Sequence, residues 1–299
     1  MAGKQVTELD ALPYFTDTSL LPVHNGAGLK KGLLSQLASY LGTKFSNPNL
    51  LTNSDFKINQ RGKSTYSSTE AGGTVDRWVG TNVKTVVNSD GTVSVSSLSG
   101  TGYYTQHEEN ISYGKHTYSI YVQAITGTVK AFYKSKDSKD VELGTLNQGL
   151  NTFTSVDDGF KSFYLNVAGG SSVTLKYAKV EQGTVATSYI APNPIEEYPK
   201  CQRYFQYIPK LYCVPLMYTR NMINSSDKYF QSTNGNLPTE MRIKPTLKYK
   251  AIGQSDGSTF ADSASFELDS KSINVVTLSS VVSNFSITVN EITLDAEIY

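Results

Sequence analysis

Residues 117–125 read Thr-Tyr-Ser-Ile-Tyr-Val-Gln-Ala-Ile, and apolar side chains return at almost every second position. Tyr118, Ile120, Val122 and Ala124 would share one face of this segment. Such alternation is typical of a half-buried β-strand, because successive side chains of a strand point to opposite faces. The stretch therefore predicts a sheet with one face turned to a core.

Two pairs of β-like segments surround this strand. Segments 83–87 and 92–96 flank an Asn-Ser-Asp-Gly turn, and Asp-Gly between such segments is a hairpin signal. Segments 160–167 and 172–180 flank Ala-Gly-Gly-Ser, which predicts a second hairpin. Several short strands within about 140 residues are typical of a β-sandwich.

The C-terminal third of the chain is also β-rich. Residues 191–199 contain three prolines and predict a stiff connector before it. Strands are then expected at residues 246–252, 265–268, 273–278, 284–289 and 292–298.

The first 45 residues differ from the rest of the chain. Leu33, Leu37 and Leu41 are four apart, which predicts a helix of about ten residues that ends at Gly42. An isolated helix this short is marginal in water, so it should dock on another surface. The segment is either the start of a globular core or, as we favour, an anchoring module that docks on another protein.

Charge and composition exclude several classes of protein. The chain has 299 residues, with 27 basic and 26 acidic side chains and a formal net charge of +1. Neither a nucleic-acid partner nor an anionic membrane surface is therefore expected. No apolar stretch reaches the roughly 18 residues of a membrane span. The N-terminus lacks the apolar region of a signal peptide, so we expect synthesis in a cytosol.

Residue types that carry catalysis or bind metals are sparse. Cys201 and Cys213 are too few for a Cys-rich zinc site and are interpreted as free buried thiols. His107 and His116 have no metal-ligand spacing, and no Gly-x-Ser-x-Gly motif is present. Adjacent carboxylates such as Glu108 and Glu109 point to opposite faces of a strand. We therefore predict no catalytic residue, no metal and no cofactor, with glycan hydrolysis as a minor alternative.

Aromatic residues instead favour a binding function. Exposed aromatic rings on a sheet can stack on sugar rings, while nearby amides and carboxylates bind the hydroxyl groups. The candidate carbohydrate-binding residues are Trp78, Tyr103, Tyr104, Tyr212 and Tyr218. The alternative for each is an ordinary position in the core, and for Trp78 that alternative is favoured.

Three regions of the sequence carry a resemblance to one group of proteins. The matching stretches are residues 5–12, 20–23 and 30–37 in the first region, 49–62, 76–78, 114–122 and 179–187 in the second, and 196–197, 201–206, 237–246 and 295–299 in the third. In these stretches the sequence resembles bacteriophage tail-fibre and tailspike proteins. The first region resembles their short virion-anchoring segment, the second their carbohydrate-binding-module-like jelly roll, and the third their C-terminal β domain.

The resemblance implies a mainly β protein with a short N-terminal anchor containing one helix, a jelly-roll β-sandwich and a C-terminal β domain. Residues 1–45 would form the anchor, residues 49–190 the sandwich and residues 196–299 the C-terminal β domain, for receptor binding or trimerisation. Docking on a phage tail or other virion protein would use Leu20, Leu21, Leu33, Leu34 and Leu37.

The resemblance also implies a function. The protein would be a homotrimeric, non-enzymatic virion component, made in the host cytoplasm, that attaches the phage tail to a host surface polysaccharide. Three copies would multiply a weak glycan contact. Even charge and a polar surface suit a neutral polysaccharide. The alternatives are a purely structural head fibre or tail adaptor and, less favoured, a glycan-cleaving tailspike.

Overall fold

The computed structural model describes the central part of the chain almost continuously and its two ends in shorter stretches. The described residues are 20–24, 29–33, 37, 46–156, 158–213, 217–220, 228–231, 237–249, 251–254, 259–260, 264–278 and 287–298. Within these ranges the protein is mainly β, which confirms the predicted fold class.

The N-terminal segment contains a strand pair that overlaps the first residues of the expected helix. Strand β1 (Leu20–His24) pairs antiparallel with β2 (Leu29–Leu33). Leu33 is therefore the last residue of a strand, and its assignment to the helix is wrong. The four-residue leucine spacing includes Leu33, but cross-strand pairing to Leu20 determines its conformation. Leu37 is helical and exposed, whereas Leu34 and Leu41 lie outside the described residues.

The centre of the protein is a β-sandwich of twelve strands. The strands are β3 (Thr65–Ser68), β4 (Gly72–Gly73), β5 (Val79–Thr81), β6 (Val83–Val87), β7 (Val93–Ser97), β8 (Gly102–Ser112), β9 (His116–Thr126), β10 (Val129–Lys134), β11 (Asp140–Thr145), β12 (Gly149–Thr154), β13 (Phe160–Val167) and β14 (Ser172–Gln182).

These strands form two six-stranded antiparallel sheets. Sheet 1 has the order β11-β10-β13-β8-β5-β4, and sheet 2 has the order β12-β9-β14-β7-β6-β3. Most connections from β7 onward cross from one sheet to the other. Each sheet therefore places one face on a shared core, and each strand alternates core-facing and outward-facing side chains.

An aromatic cluster fills one region of this core. Trp78 is fully buried and stacks on Tyr104, with ring centroids 5.0 Å apart and an interplanar angle of 9°. Phe163 meets Trp78 edge-on at 6.3 Å. The indole Nε1 donates to the carbonyl of Asn53 at 3.0 Å, so the one polar atom of Trp78 is satisfied.

The alternating segment 117–125 lies in β9, and its apolar face is confirmed up to Val122. Tyr118, Ile120 and Val122 are buried, but Ala124 is exposed. The register between β9 and β14 shifts after Val122, where Gln123 is left without an opposite residue. This irregularity reverses the alternation, so Ile125 packs against the core in place of Ala124.

One of the two predicted hairpins is confirmed. β6 and β7 pair antiparallel across the Asp-Gly turn. β13 and β14 do not pair, because β13 belongs to sheet 1 and β14 to sheet 2. The Ala-Gly-Gly-Ser turn between them carries the chain across the sandwich, so the second hairpin prediction is wrong.

Helix α1 (Pro194–Gln202) occupies most of the predicted connector. The Asn193 side chain caps it by accepting a hydrogen bond from the Ile195 amide at 3.1 Å. Pro194 lies in the first turn, where an amide hydrogen has no intrahelical partner. A proline-rich stretch therefore starts a helix here. Cys201 near its end is a free, buried thiol, as predicted.

The C-terminal region is β, as predicted. Its strands are β15 (Phe205–Cys213), β16 (Met217–Arg220), β17 (Lys228–Gln231), β18 (Thr246–Lys248), β19 (Ala251–Gln254), β20 (Thr259–Phe260), β21 (Ala264–Leu268), β22 (Ile273–Leu278) and β23 (Ile287–Asp295). They form one sheet with the order β15-β23-β19-β20, to which β18 pairs through β23, and a second with the order β16-β17-β22-β21. The two strands expected at 284–289 and 292–298 are the single strand β23.

Candidate functional site

The outer face of sheet 1 carries a group of aromatic side chains. In β10, Val129, Ala131 and Tyr133 are fully buried in the core. The strand period of two therefore turns Lys130 and Phe132 outward. The sequence of β10 places an aromatic ring between lysines on the surface of the sheet.

Two further rings lie beside Phe132, and we call Tyr103, Phe132 and Tyr164 the aromatic face. Phe132 is paired with Tyr164 in the register of β10 and β13. Their ring centroids lie 5.2 Å apart with an interplanar angle of 9°. Tyr103 of β8 meets Tyr164 edge-on at 6.1 Å. Tyr103 is 39% exposed, whereas Tyr164 is 8% exposed and supports its neighbours.

Charged residues around the aromatic face are paired with each other. Lys130 Nζ lies 2.9 Å from Glu142, and Lys134 Nζ lies 2.9 Å from Asp140. These pairs link β10 to β11 and are partly solvated, so they contribute little to stability. They do keep the surface close to electrical neutrality.

Polar groups complete this surface. Thr105 is opposite Tyr164 in the register, and Asn166 is opposite Tyr103. His107 follows on the outward side of β8, opposite Ser162. Burial, with a smaller effect of the Arg77 charge, lowers the pKa of His107, so its imidazole is neutral at pH 7. Hydroxyl, amide and neutral imidazole groups can each exchange hydrogen bonds with sugar hydroxyls.

The structure places the predicted carbohydrate-binding residues in different environments, some exposed and some buried. Tyr103 lies on the aromatic face, where a ligand can reach it. Tyr104 and Trp78 are fully buried, and their prediction as stacking platforms is wrong. Tyr104 is the strand neighbour of Tyr103, so it points to the opposite side of sheet 1. A ring with no solvent-exposed area cannot contact a ligand that binds from solvent.

The other two predicted tyrosines are in different sheets. Tyr212 lies in β15 and Tyr218 in β16, so the structure does not unite them with Tyr103 in one sheet. Their role in binding stays a prediction. Sequence reasoning missed Phe132 and Tyr164. The signal for Phe132 is the alternation of 129–134, in which Val129, Ala131 and Tyr133 take the inner positions.

The predicted docking leucines stay untested in that role. Leu20 and Leu21 lie in β1 and Leu33 in β2. Leu37 is 41% exposed, and Leu34 lies outside the described residues.

The adjacent carboxylates Glu108 and Glu109 have separate surroundings. Arg203 binds Glu109 through two hydrogen bonds of 3.0 and 3.1 Å. Burial raises the pKa of Glu108 to about 7, and the nearby Arg77 opposes that rise. Both acids line a pocket of about 530 Å³. Because Arg203 already engages Glu109, the two carboxylates do not form an open acid–base pair.

Among the described residues, no group of three His, Cys, Asp or Glu side chains could hold a metal ion. None of the helices in the same ranges has the length and apolar character that a membrane crossing needs.

Comparisons with known proteins do not assign a family. No protein-family model matches the chain, and no curated protein matches it. A family 29 carbohydrate-binding module mutant solved with cellulohexaose is 14% identical, with coverage of 46% of this chain and 94% of that chain and a TM-score of 0.31. A related mutant with mannohexaose is 15% identical, with coverage of 43% and 96% and a TM-score of 0.31. Wild-type discoidin II from Dictyostelium discoideum is 11% identical, with coverage of 70% and 83% and a TM-score of 0.23.

Proposed function

We propose that this protein is a non-enzymatic glycan-binding protein and that the aromatic face is its binding surface. The observation that carries the proposal is the near-parallel contact of Phe132 and Tyr164 beside the exposed Tyr103, on the outside of sheet 1. A pyranose ring presents a flat apolar side to such rings, while its hydroxyls reach the polar groups around them. Contiguous apolar patches on a protein surface are more often binding sites than single exposed apolar residues are.

The charge pattern favours a neutral glycan at this surface. Each lysine of β10 on the aromatic side of sheet 1 has its own carboxylate, so neither of these two cations is left to select an anionic ligand. Thr105 and Asn166 offer donors and acceptors without net charge. Binding at each site would be weak, because the surface is shallow and a ligand remains partly solvated.

The finer proposal is that the protein attaches a phage particle to a host surface polysaccharide. It rests on the resemblance of residues 1–45, 49–190 and 196–299 to the parts of tail-fibre and tailspike proteins. Under this proposal the chain is a homotrimer on the virion tail, made in the host cytoplasm, and residues 1–45 dock on a virion protein. Three aligned copies of a weak site would give the attachment useful strength.

The test uses the full chain with three single variants. Binding is measured on a panel of bacteria with defined surface-glycan mutants and on neutral oligosaccharides released from them. Tyr103→Ala and Phe132→Ala should each weaken binding at least about tenfold, equivalent to about 1.4 kcal/mol. Tyr113→Ala is the matched control, because Tyr113 is 66% exposed but lies in the turn after β8.

Two results would contradict the proposal. Equal glycan binding by Tyr103→Ala, Phe132→Ala and wild type would remove the aromatic face from the site. Cleavage of the glycan during incubation would instead favour the glycan-cleaving alternative. Loss of virion incorporation in a chain lacking residues 1–45 would support the finer proposal, and normal incorporation would contradict it.

A further inference from the structure

A cleft of about 820 Å³ lies between the sandwich and the C-terminal sheet. One wall comes from residues 60–66 and 71–73 of the sandwich, and the other comes from β15, β18 and β23. This volume lies within the range of roughly 300–1,000 Å³ that is usual for ligand sites. Junctions between structural units are also a frequent place for such sites.

Two lysines from opposite walls line the cleft without a carboxylate partner. Lys63 belongs to the sandwich wall and Lys248 to β18, and both are exposed. Among the described residues, neither ammonium has a carboxylate oxygen within 4.0 Å, whereas Lys130 and Lys134 of the aromatic side each have one. Two cations facing one cleft favour an anionic ligand.

Rigid groups form the floor of the cleft. The Arg61 guanidinium lies over the Phe205 ring, 3.8 Å from its centroid, and Arg61 Nη2 lies 3.3 Å from Asp295. A Cβ added at Gly73 would overlap the guanidinium, so a side chain at this position would require Arg61 to move. Because Arg61 is already engaged, the lysines carry the unpaired positive charge of the cleft.

Tyr207 and Glu291 lie in the wall that the C-terminal strands form, and Glu291 has a strained backbone conformation. Tyr207 of β15 is 40% exposed and lines the cleft, where its ring can contact the apolar side of a sugar. Glu291 also lines it, and its backbone adopts φ +50° in the middle of β23. Non-glycine residues in this conformation cost about 1–3 kcal/mol and concentrate at functional positions.

We propose that this cleft binds a carboxylate-bearing sugar residue, such as a hexuronic or nonulosonic acid of a surface polysaccharide. Lys63 and Lys248 would pair with the carboxylate from the two sides of the cleft. Tyr207 would contact the apolar side of the sugar ring. The site is separate from the aromatic face, so it does not depend on the function proposed for that surface.

The experiment measures binding of acidic oligosaccharides to the full-length protein by titration calorimetry. The probes are oligogalacturonate, oligoalginate, hyaluronan oligosaccharides and oligosialic acid. Methyl-esterified oligogalacturonate is the neutral comparison, because it keeps the ring and removes the charge. Inorganic phosphate tests for anion binding without a sugar. The variants are Lys63→Gln, Lys248→Gln and Tyr207→Ala, with Lys115→Gln as a control for an exposed lysine outside the cleft.

We expect at least one acidic probe to bind, and each cleft variant to weaken its binding about tenfold. The methyl ester should bind at least tenfold more weakly than the acid, and Lys115→Gln should bind as wild type does. Raising the salt concentration should weaken acidic binding.

Failure of all four acidic probes to bind would overturn the proposal. Unchanged binding in the Lys63→Gln/Lys248→Gln double variant, equal binding of acid and ester, or equally tight phosphate binding would also overturn it. These results are distinguishable from a failure of the glycan-binding proposal for the aromatic face. That proposal is tested with neutral glycans and with the variants Tyr103→Ala and Phe132→Ala.

Discussion

Arg77 and Glu297 form a buried ion pair although 220 residues separate them in the sequence. Arg77 Nη1 donates to Glu297 Oε2 at 3.1 Å, and the Arg77 amide donates to Oε1 of the same carboxylate at 3.0 Å. The Arg77 guanidinium also lies over the Tyr204 ring at 3.4 Å. The pair therefore joins the start of the sandwich, the end of helix α1 and the C-terminus of the described chain.

Removing one member of this pair should destabilise the protein strongly. Glu297→Ala removes the closer carboxylate of the buried Arg77 guanidinium and leaves only Glu108, at 3.8 Å. Loss of one partner of a buried ion pair typically costs about 3–5 kcal/mol. Urea unfolding of the full chain measures this loss as a lower midpoint. Glu142→Ala breaks an exposed pair with Lys130 and should cost no more than about 1 kcal/mol. Equal losses in the two variants would contradict a structural role for the buried pair.

Trp78 should act through the core and not through ligand contact. Trp78→Ala removes a fully buried indole and should cost about 3–5 kcal/mol of unfolding free energy. Trp78→Phe keeps part of the stacking on Tyr104, so it should lose less stability than Trp78→Ala. At a temperature where wild type and Trp78→Phe are both folded, the two should bind glycans equally well. Calorimetric melting gives the stability, and glycan titration gives the binding. Weaker glycan binding by a folded Trp78→Phe protein would contradict a purely structural role for Trp78.

The sequence predicts the sandwich better than it predicts the aromatic face. Hydrophobic alternation identifies strands such as β9, because their inner positions must be apolar. It does not say which member of the Tyr103–Tyr104 pair points inward, since two identical neighbours leave the alternation undetermined. The turn between β13 and β14 is wrongly predicted as a hairpin, because a hairpin and a crossover both need small, flexible residues. The cleft could not be predicted from the sequence, because Lys63 and Lys248 lie in distant segments and only the tertiary structure places both in its lining.

Asp76 should make stability depend on pH. Burial raises the pKa of Asp76 to about 7 in the folded protein, although hydrogen bonds from Gln60 and the charge of Arg61 oppose that rise. In the unfolded chain the carboxyl keeps its ordinary pKa of 3.8. The folded state therefore binds more protons between about pH 4 and pH 7, and this contribution to stability is lost as the pH rises through that window.

The comparison of wild type with Asp76→Asn isolates this contribution from other titrating groups. Asparagine has nearly the shape of the protonated acid and does not ionise. The free energy of unfolding of wild type, relative to Asp76→Asn, should fall as the pH rises from 5 to 8. Urea unfolding at each pH unit measures it, and Asp137→Asn provides an exposed control. A wild-type to variant difference that stays constant over this range would contradict the raised pKa.

Gly102, at the start of β8, is predicted to tolerate no side chain. A Cβ there would lie 2.5 Å from the Asn82 carbonyl oxygen and would overlap the Val83 side chain. Because a backbone atom cannot move as a side-chain tip can, Gly102→Ala should displace β8 against β6 and cost about 1–3 kcal/mol. Gly72→Ala is the matched control, since its nearest neighbour would be Ser68 at an ordinary contact distance of 3.5 Å. Urea unfolding compares the two variants, and similar midpoints for both would contradict the close packing at Gly102. Because β8 also carries Tyr103, a displaced β8 in Gly102→Ala should weaken neutral-glycan binding at the aromatic face as well, whereas Gly72→Ala, which lies outside the aromatic face, should leave that binding unchanged.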